Sequence, residues 1–496
     1  MTFIFLFSSS FSCRKKAMTD WLTARRHATP NKPALYWAGE AFTFAELDAA
    51  ASQWAGRLAG MGVKRGDVVA VLLNNCPGYI YLTFAVARLG AALLTLNTRL
   101  TAGEIQYQLR EANAALVVGE AGLLEPLDLS LNCLTLVNAA KLLLADVPHQ
   151  DYDPDARFCL MFTSGTTGQP KGVQLSLGNF YSSATASAFR LGVSPEDNWL
   201  CTLPLYHVGG LSIVLRSVLY GTALTLHKGF DVRAVAEALE SGTVTLVSLV
   251  PTQLYRLLET DFKPHKNLRL ILLGGAAVGE DLLQKAQVKG LPIATTYGLT
   301  EACSQVATAL PETTFRKPGT VGKPLLFSEL KLLDDDGKPV AANVVANVFV
   351  KGPNLMLGYL GKEPLDGWFN TGDLGYLDEE GDLFIVQRRR DLIVSGGENV
   401  YPAEVEKTLR EHPALENVAV LGIDDAEWGQ RVGAVLVLNE AANEAAVLEG
   451  LEQLCLTKLA PYKRPRLYKV VDALPLTASG KVKKHELVPL FASETS

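Results

Sequence analysis

Along this chain, stretches with apolar residues at helical spacing alternate with short, unbroken apolar runs. The segment beginning at Phe42, FTFAELDAAASQWAGRLAGMG, has the helical pattern and leads into DVVAVLL at 67–73, an apolar run of strand length. Further strands are predicted at 91–96, 114–118, 224–227, 244–250 and 268–273, with helical stretches between most of them. Strands apolar on both faces need cover on both sides. The alternation therefore predicts an α/β fold, a large N-terminal region of helix-covered, mostly parallel sheets. Ligands in such sheets sit beyond the carboxyl ends of the strands. No internal repeat or low-complexity linker interrupts the pattern.

The rhythm changes late in the chain. Apolar runs at 415–423 and 431–438, with a helical pattern over 440–459, read as a small α+β unit. We place the division so that 18–389 form the larger region and 390–496 a smaller, mobile C-terminal domain. At 496 residues the chain exceeds one ordinary core, which agrees with two domains. The opening MTFIFLFSSSFSC puts its apolar run before Arg14, Lys15 and Lys16, the reverse of a signal peptide, and is too short to span a membrane. Residues 1–17 are read as an extension or a misplaced start, with export as the weaker reading.

Bulk composition narrows the function by exclusion. A net charge of −6 offers no basic footprint for nucleic acid, so an anionic ligand must be gripped locally. Seven cysteines are scattered singly, without CxxC spacing or histidine neighbours, which fits a reducing cytoplasm and no structural zinc. These features predict a cytoplasmic protein with no stable membrane anchor and no nucleic-acid partner; a homo-oligomer stays open.

The stretch MFTSGTTGQPKGV at 161–173 carries the strongest chemistry. An apolar strand ending at Phe162 opens into Thr163, Ser164, Gly165, Thr166, Thr167 and Gly168, and Pro170 and Lys171 close the turn. Hydroxyls and backbone amides donate, glycine lets anionic oxygens approach, and Lys171 adds charge. It is not a Walker loop, because Pro170 stands where that motif needs glycine before the lysine. A plain polar surface loop is the competing reading, made weaker by the buried strand before it.

Four other stretches stand out. In PLYHVGGLSIVLRSVLYG, at 204–221, Gly209 and Gly210 break the chain and a helix follows from 211 to 220, stopped by Gly221. Arg216 rises from its mostly apolar surface; it either snorkels to solvent or needs an anionic partner, an Asp or Glu elsewhere or a bound carboxylate. His207 alone reads more readily as a satisfied core histidine than as a catalyst. The stretch LLGGA at 272–276 runs a strand into Gly274, Gly275 and Ala276; TTYGLTEACS, at 295–304, follows. In isolation YGLTE reads as well as a helix start capped by Thr300. The run from 371, TGDLGYLDEEGDLFIVQRRRDLIVSGGENVYPAEVE, holds Asp373, Arg388 and Arg390; LPLTASGKVKKHEL, at 474–487, holds Lys481.

Together these motifs resemble the acyl-adenylate-forming superfamily of acyl-CoA synthetases, luciferases and adenylation domains, and the resemblance spans about 18–487. It implies ATP and CoA as co-substrates, Mg²⁺, and a carboxylic acid as the small-molecule partner. By this resemblance the 163–168 loop and Lys171 hold the triphosphate, and Gly274, Gly275, Ala276, Tyr297 and Gly298 frame the adenine, with Tyr297 stacking on it. Thr300 contacts the α-phosphate, Glu301 holds Mg²⁺, and Asp373 and Arg388 bind the ribose. His207 lies beside the acyl group. Lys481 serves adenylation, and Arg390 is the hinge, where family members commonly carry Asp or Lys. The C-terminal domain then swings to present 395–399 to a thiol. Within the superfamily the motifs are most similar to the o-succinylbenzoate-CoA ligases of menaquinone biosynthesis, where a basic residue at the place of Arg216 faces the second carboxylate of a dicarboxylic acid. A ligase for another aromatic or medium-chain acid, and a non-catalytic adenylate-binding regulator, are the competing readings.

Overall fold

The computed structural model of the chain describes residues 17–127, 132–139, 142–147, 151–163, 170–387, 392–439, 443–475 and 482–494. Three sheets organise them. In the seven-stranded sheet, Arg157–Thr163, Ala92–Thr95, Val68–Leu72, Ala114–Gly119 and Asn132–Thr135 run parallel in that spatial order. Val68–Leu72 is buried at every position, as its unbroken apolar sequence requires. The thirteen-stranded sheet has a second parallel core, Ile293–Leu299, Leu270–Leu273, Leu246–Leu249, Asn198–Cys201, Ala223–Leu226 and Pro33–Trp37. The α/β expectation thus holds, with a parallel core in each of the two sheets. Among the described residues, no helix is long and apolar enough to cross a membrane.

The remainder of the large sheet is antiparallel. Ser304–Ala309, Thr320–Pro324, Leu383–Gln387, Phe369–Leu377, Ala346–Lys351 and Glu329–Leu333 extend it from the Ile293–Leu299 edge. The long motif at 371 therefore begins as a β-hairpin. Its turn is tied down by Lys317, whose ammonium reaches Asp378 and lies 2.7 Å from Asp382.

After residue 391 a small sheet of Ile393–Ser395, Glu398–Val400, Leu415–Asp425, Gly429–Leu438 and Leu467–Val470 packs with helices Pro402–Leu409 and Glu444–Lys458 around apolar clusters of its own. The helix expected at 440–459 begins only at Glu444, because Asn443 caps it by accepting from the Ala446 amide at 3.2 Å. The expected hinge residue, Arg390, lies outside the described residues.

One expectation needs correction. Gly209 and Gly210 do not precede the arginine-bearing helix; they are in its first turn, since it spans Val208–Tyr220. A Cβ on Gly210 would stand 2.3 Å from the Pro204 carbonyl oxygen, so glycine is there for close packing and not to break the chain. The other end matches the expectation, with Gly221 left-handed at φ 71° as the C-terminal cap.

A buried ion network ties the first three helices together. Asp20 accepts from the Leu22 and Thr23 amides at 3.0 and 3.2 Å, capping Trp21–Ala28. It also accepts from Arg88 Nε at 2.7 Å, and Arg88 reaches Asp48 on Phe44–Gly60 as well. Burial alone would raise the Asp20 carboxyl, but Arg88, with the Tyr152 hydroxyl and the Thr23 amide, outweighs it and the net shift is downward. Removing one partner of such a pair strands the other charge. Asp20→Ala is expected to cost about 3–5 kcal/mol, read as a lower urea midpoint. Because the folded-state value is depressed, the native contribution is complete above the ordinary carboxylate range and drains away as pH falls through the folded value.

Candidate active site

The carboxyl ends of both parallel cores converge on one cavity of about 420 Å³. Thr95, Met161 to Thr163, Thr202, Ser248 to Val250, Leu272 and Leu299 all come from the ends of strands or the residues just beyond them. The placement follows the rule for open parallel sheets. Two sheets contribute, so the cavity is deep enough to take a ligand with two dissimilar ends.

One stretch of wall carries the residues expected around a nucleotide. Gly274, Gly275, Gly298, Thr300, Glu301 and Asp373 all line the cavity, as does Thr163. Gly275, two residues past Leu270–Leu273, is left-handed at φ 88°, which turns the chain away and leaves backbone facing the space. Gly298 has no alternative residue: a Cβ there would sit 2.0 Å from the Ser304 carbonyl oxygen, at a register shift between Ile293–Leu299 and Ser304–Ala309. Thr300 does not cap a helix. It begins the short 3₁₀ turn Thr300–Ala302, whose cap position is Leu299. The Glu301 carboxylate is buried, and its Oε1 accepts from the Tyr359 hydroxyl at 2.8 Å. Among the described residues no cluster of three or more His, Cys, Asp or Glu could enclose a metal.

Tyr297 is a correction to the sequence reading. Its ring is completely buried and does not line the cavity, so here it has no face on which a base could stack. Its hydroxyl donates to Asp373 Oδ2 at 2.6 Å, in the interior beneath the wall. The alternation of the strand decides this: Thr296 and Gly298 face the cavity and the residue between them faces inward. Ala276 and Lys171 also stay off the cavity wall. Lys171 opens the strand Lys171–Ser176 and holds its ammonium 5.4 Å from the Tyr359 ring centroid. Ser164, Gly165, Thr166, Thr167, Gly168, Arg388, Arg390 and Lys481 lie outside the described residues.

Arg216 lines a different part of the wall. It is 2% exposed, its Nη2 donates to Ser304 Oγ at 3.4 Å, and its guanidinium carbon lies 5.9 Å from the Trp199 ring centroid. No carboxylate pairs with it among the described residues, and its Nε has no hydrogen-bond partner there. Burial pulls its pKa downward. The structural Asp or Glu that was one of its two expected partners is thus not supplied. Thr202 Oγ1 and Gln305 Oε1, also on cavity-lining residues, are buried and likewise without partners among the described residues. Such groups in an apolar wall are costly unless something else satisfies them.

The third part of the wall comes from beyond residue 391. Gly396, Gly397, Glu398, Asn399 and Tyr401 line the cavity opposite His207. His207 is the N-cap residue of Val208–Tyr220, and its Nε2 is 3.2 Å from Glu398 Oε2. Arg99 and Asn97 reach the same carboxylate at 3.3 and 3.4 Å. Burial would raise the Glu398 carboxyl; His207 and then Arg99 outweigh it and hold it below its ordinary value. Glu398 and Tyr359 were not singled out from sequence. Glu398 falls inside the motif at 395–399, where a charged residue straight after paired glycines was the available signal; Tyr359 had none.

Comparison with known proteins agrees with this geometry. The chain matches the AMP-binding enzyme model over residues 22–360 and the AMP-binding enzyme C-terminal domain model over 404–481. It is 41% identical to the 2-succinylbenzoate–CoA ligase of Bacillus velezensis, over 96% of this chain and 99% of that one. It is similar to a double mutant of the o-succinylbenzoate-CoA synthetase of Bacillus subtilis bound with its product analogue, with a TM-score of 0.89, 38% identity, and coverage of 95% of this chain and 98% of that one. The same synthetase in complex with ATP and magnesium ion gives 0.74 at 38% identity, with coverage of 95% of this chain and 100% of that one. The chain belongs to the AMP-binding enzyme family.

Proposed function

We propose that this protein is an ATP-dependent, AMP-forming acid–CoA ligase whose acid is 2-succinylbenzoate, acting in menaquinone biosynthesis. The observation that carries the choice of acid is Arg216: a buried guanidinium on a cavity wall, with no carboxylate of the described protein to pair with. A dicarboxylic acid brings that carboxylate with it. Its other carboxyl group then extends toward Thr300 and the nucleotide end of the same cavity. The 41% identity to a 2-succinylbenzoate–CoA ligase over nearly the whole chain supports the same acid.

A carboxylate is a poor acyl donor because oxide is a poor leaving group. In the first step a carboxylate oxygen attacks the α-phosphorus of ATP, the bond to pyrophosphate breaks, and an acyl adenylate forms. In the second, the CoA sulfur attacks the acyl carbon and AMP departs with the bonding pair. The protein contributes position and charge. Asp373, held by the Tyr297 hydroxyl, offers an acceptor-only group to the ribose hydroxyls. Gly274 and Gly275 give the base a flat backbone edge. Thr163 and Thr300, on the cavity wall, serve the phosphates; the family resemblance adds Ser164 to Gly168 and Lys171 to that task and assigns Arg388, with Asp373, to the ribose. Glu301, buried next to Thr300 and hydrogen-bonded to Tyr359, is the carboxylate that would hold Mg²⁺, a hard cation that takes oxygen ligands. When bound, the ion neutralises phosphate charge.

The C-terminal part changes orientation between steps. Lys481 serves the first step and Glu398, docked on His207, the second. The relative in its product-analogue complex superimposes better than in its ATP complex at equal identity, which supports reading the present arrangement as the thioester-forming one.

A pyrophosphate-release assay over aromatic and aliphatic acids, with ATP, magnesium and CoA, is expected to give 2-succinylbenzoate as the preferred acid; no release with any acid would refute a ligase. Arg216→Ala is expected to lower kcat/KM for 2-succinylbenzoate by about 100-fold, and that for a monocarboxylic analogue by far less. Equal losses would return Arg216 to a structural role. Lys481→Ala is expected to slow pyrophosphate release by about 100-fold while thioester formation from supplied acyl adenylate stays near wild type. Comparable loss in both half-reactions would remove Lys481 from its assigned step.

A further inference from the structure

Two groups of contacts seat the C-terminal part on the larger one: Arg256 pairs with Glu427 at 2.5 Å and lies 5.3 Å from the Trp428 ring centroid, and a more buried group falls on one short segment, the turn after Ala92–Thr95 and the start of helix Ala102–Glu111. Asn97 and Arg99 hold Glu398. The Arg99 guanidinium carbon also lies 5.2 Å from the Tyr462 ring centroid. At the end of the segment, Glu104 Oε1 accepts from Lys463 Nζ at 2.6 Å, and Lys463 donates equally closely, 2.6 Å, to Glu404 Oε1.

This last cluster is unusual in composition and in place. Lys463 is only 3% exposed, which an ammonium tolerates when carboxylates replace its water. Two do so, one from each side of the interface. Glu404 Oε2 is buried with no hydrogen-bond partner among the described residues, so Lys463 is what compensates that carboxylate. Burial raises the Glu404 carboxyl; Lys463 opposes this, and Glu104 adds to it as a like charge. Glu104 and Glu404 therefore repel across the interface unless the lysine stands between them. Rotation of the C-terminal part would keep Lys463 with Glu404 and separate both from Glu104.

We propose that Glu104, Lys463 and Glu404 form a latch that favours the orientation in which Glu398 meets His207, making Glu104 and Lys463 positioning residues for thioester formation. The role in thioester formation rests on the ligase reading above; the latch itself does not. Glu104 also accepts from the Thr101 amide at 2.7 Å, capping its helix, and glutamine can keep that bond while removing the charge.

Hydrogen exchange on the full chain without ligands, in wild type, E104Q, K463Q and the double variant, tests the latch directly. K463Q leaves two carboxylates facing each other, and is expected to speed amide exchange at 97–104 and 398–400 by about tenfold, with E104Q showing less. The double variant removes the repulsion and is expected to recover part of what K463Q loses, a non-additivity that independent structural damage does not produce. Thioester formation from supplied acyl adenylate should follow the same order, while pyrophosphate release by E104Q stays at the wild-type rate. Equal exchange in all four proteins, or a double variant faster in exchange than K463Q, would overturn the latch. A wild type that releases no pyrophosphate with any acid would overturn the ligase reading, and the exchange comparison would still decide the latch.

Discussion

Parallel strands must all end on the same side of their sheet, and there the polypeptide has to turn back through loops and helix starts. In this protein two parallel cores end toward one another, and the space between their ends cannot be closed by either sheet's covering helices. The cavity is a consequence of that topology. What fills its wall is then a matter of which residues follow each strand: paired glycines after Leu270–Leu273, a threonine and a carboxylate after Ile293–Leu299, a histidine-capped helix after Asn198–Cys201.

Charge divides the cavity into regions with different tasks. The Arg216 guanidinium is enclosed by apolar and hydroxyl-bearing side chains, so a ligand carboxylate there interacts at low dielectric and close range. The Glu398 carboxylate, by contrast, already has His207 and Arg99 as partners and gains nothing by taking another cation. One end of the site is thus short of an anion and the other is complete. That asymmetry gives a two-ended acid one favoured direction in which to lie.

Much of this was legible in the residues themselves. Unbroken apolar runs such as Val68–Leu72 revealed the parallel cores because burial on both faces leaves no polar alternation. Gly221 announced the end of its helix, and Arg216 was conspicuous because charge among apolar neighbours needs an explanation. The misreadings have physical causes too. Gly209 and Gly210 looked like breakers, yet a glycine needed for close approach to a distant carbonyl is locally indistinguishable from one needed for a turn. Tyr297 carried the motif's aromatic ring, but the side of a strand it faces depends on the phase of the whole strand and on what lies beneath. Tyr359 was invisible, because its bond to Glu301 joins positions far apart in sequence. The antiparallel extension of the large sheet went unassigned, since half-exposed strands such as Ala346–Lys351 lack a continuous apolar signature.

Gly298 has a consequence for how such a site can diversify. The close approach of its backbone to Ser304 fixes the separation between the strand that leads into Thr300 and Glu301 and the one that opens with the serine beside Arg216. The two ends of the cavity therefore share one rigid crossing point. A backbone adjustment that made room for a bulkier acid would drag Thr300 and Glu301 with it. Tolerance toward new acids must accordingly arise by exchanging side chains on an unmoving frame, which makes this scaffold conservative toward its nucleotide and permissive toward its acid.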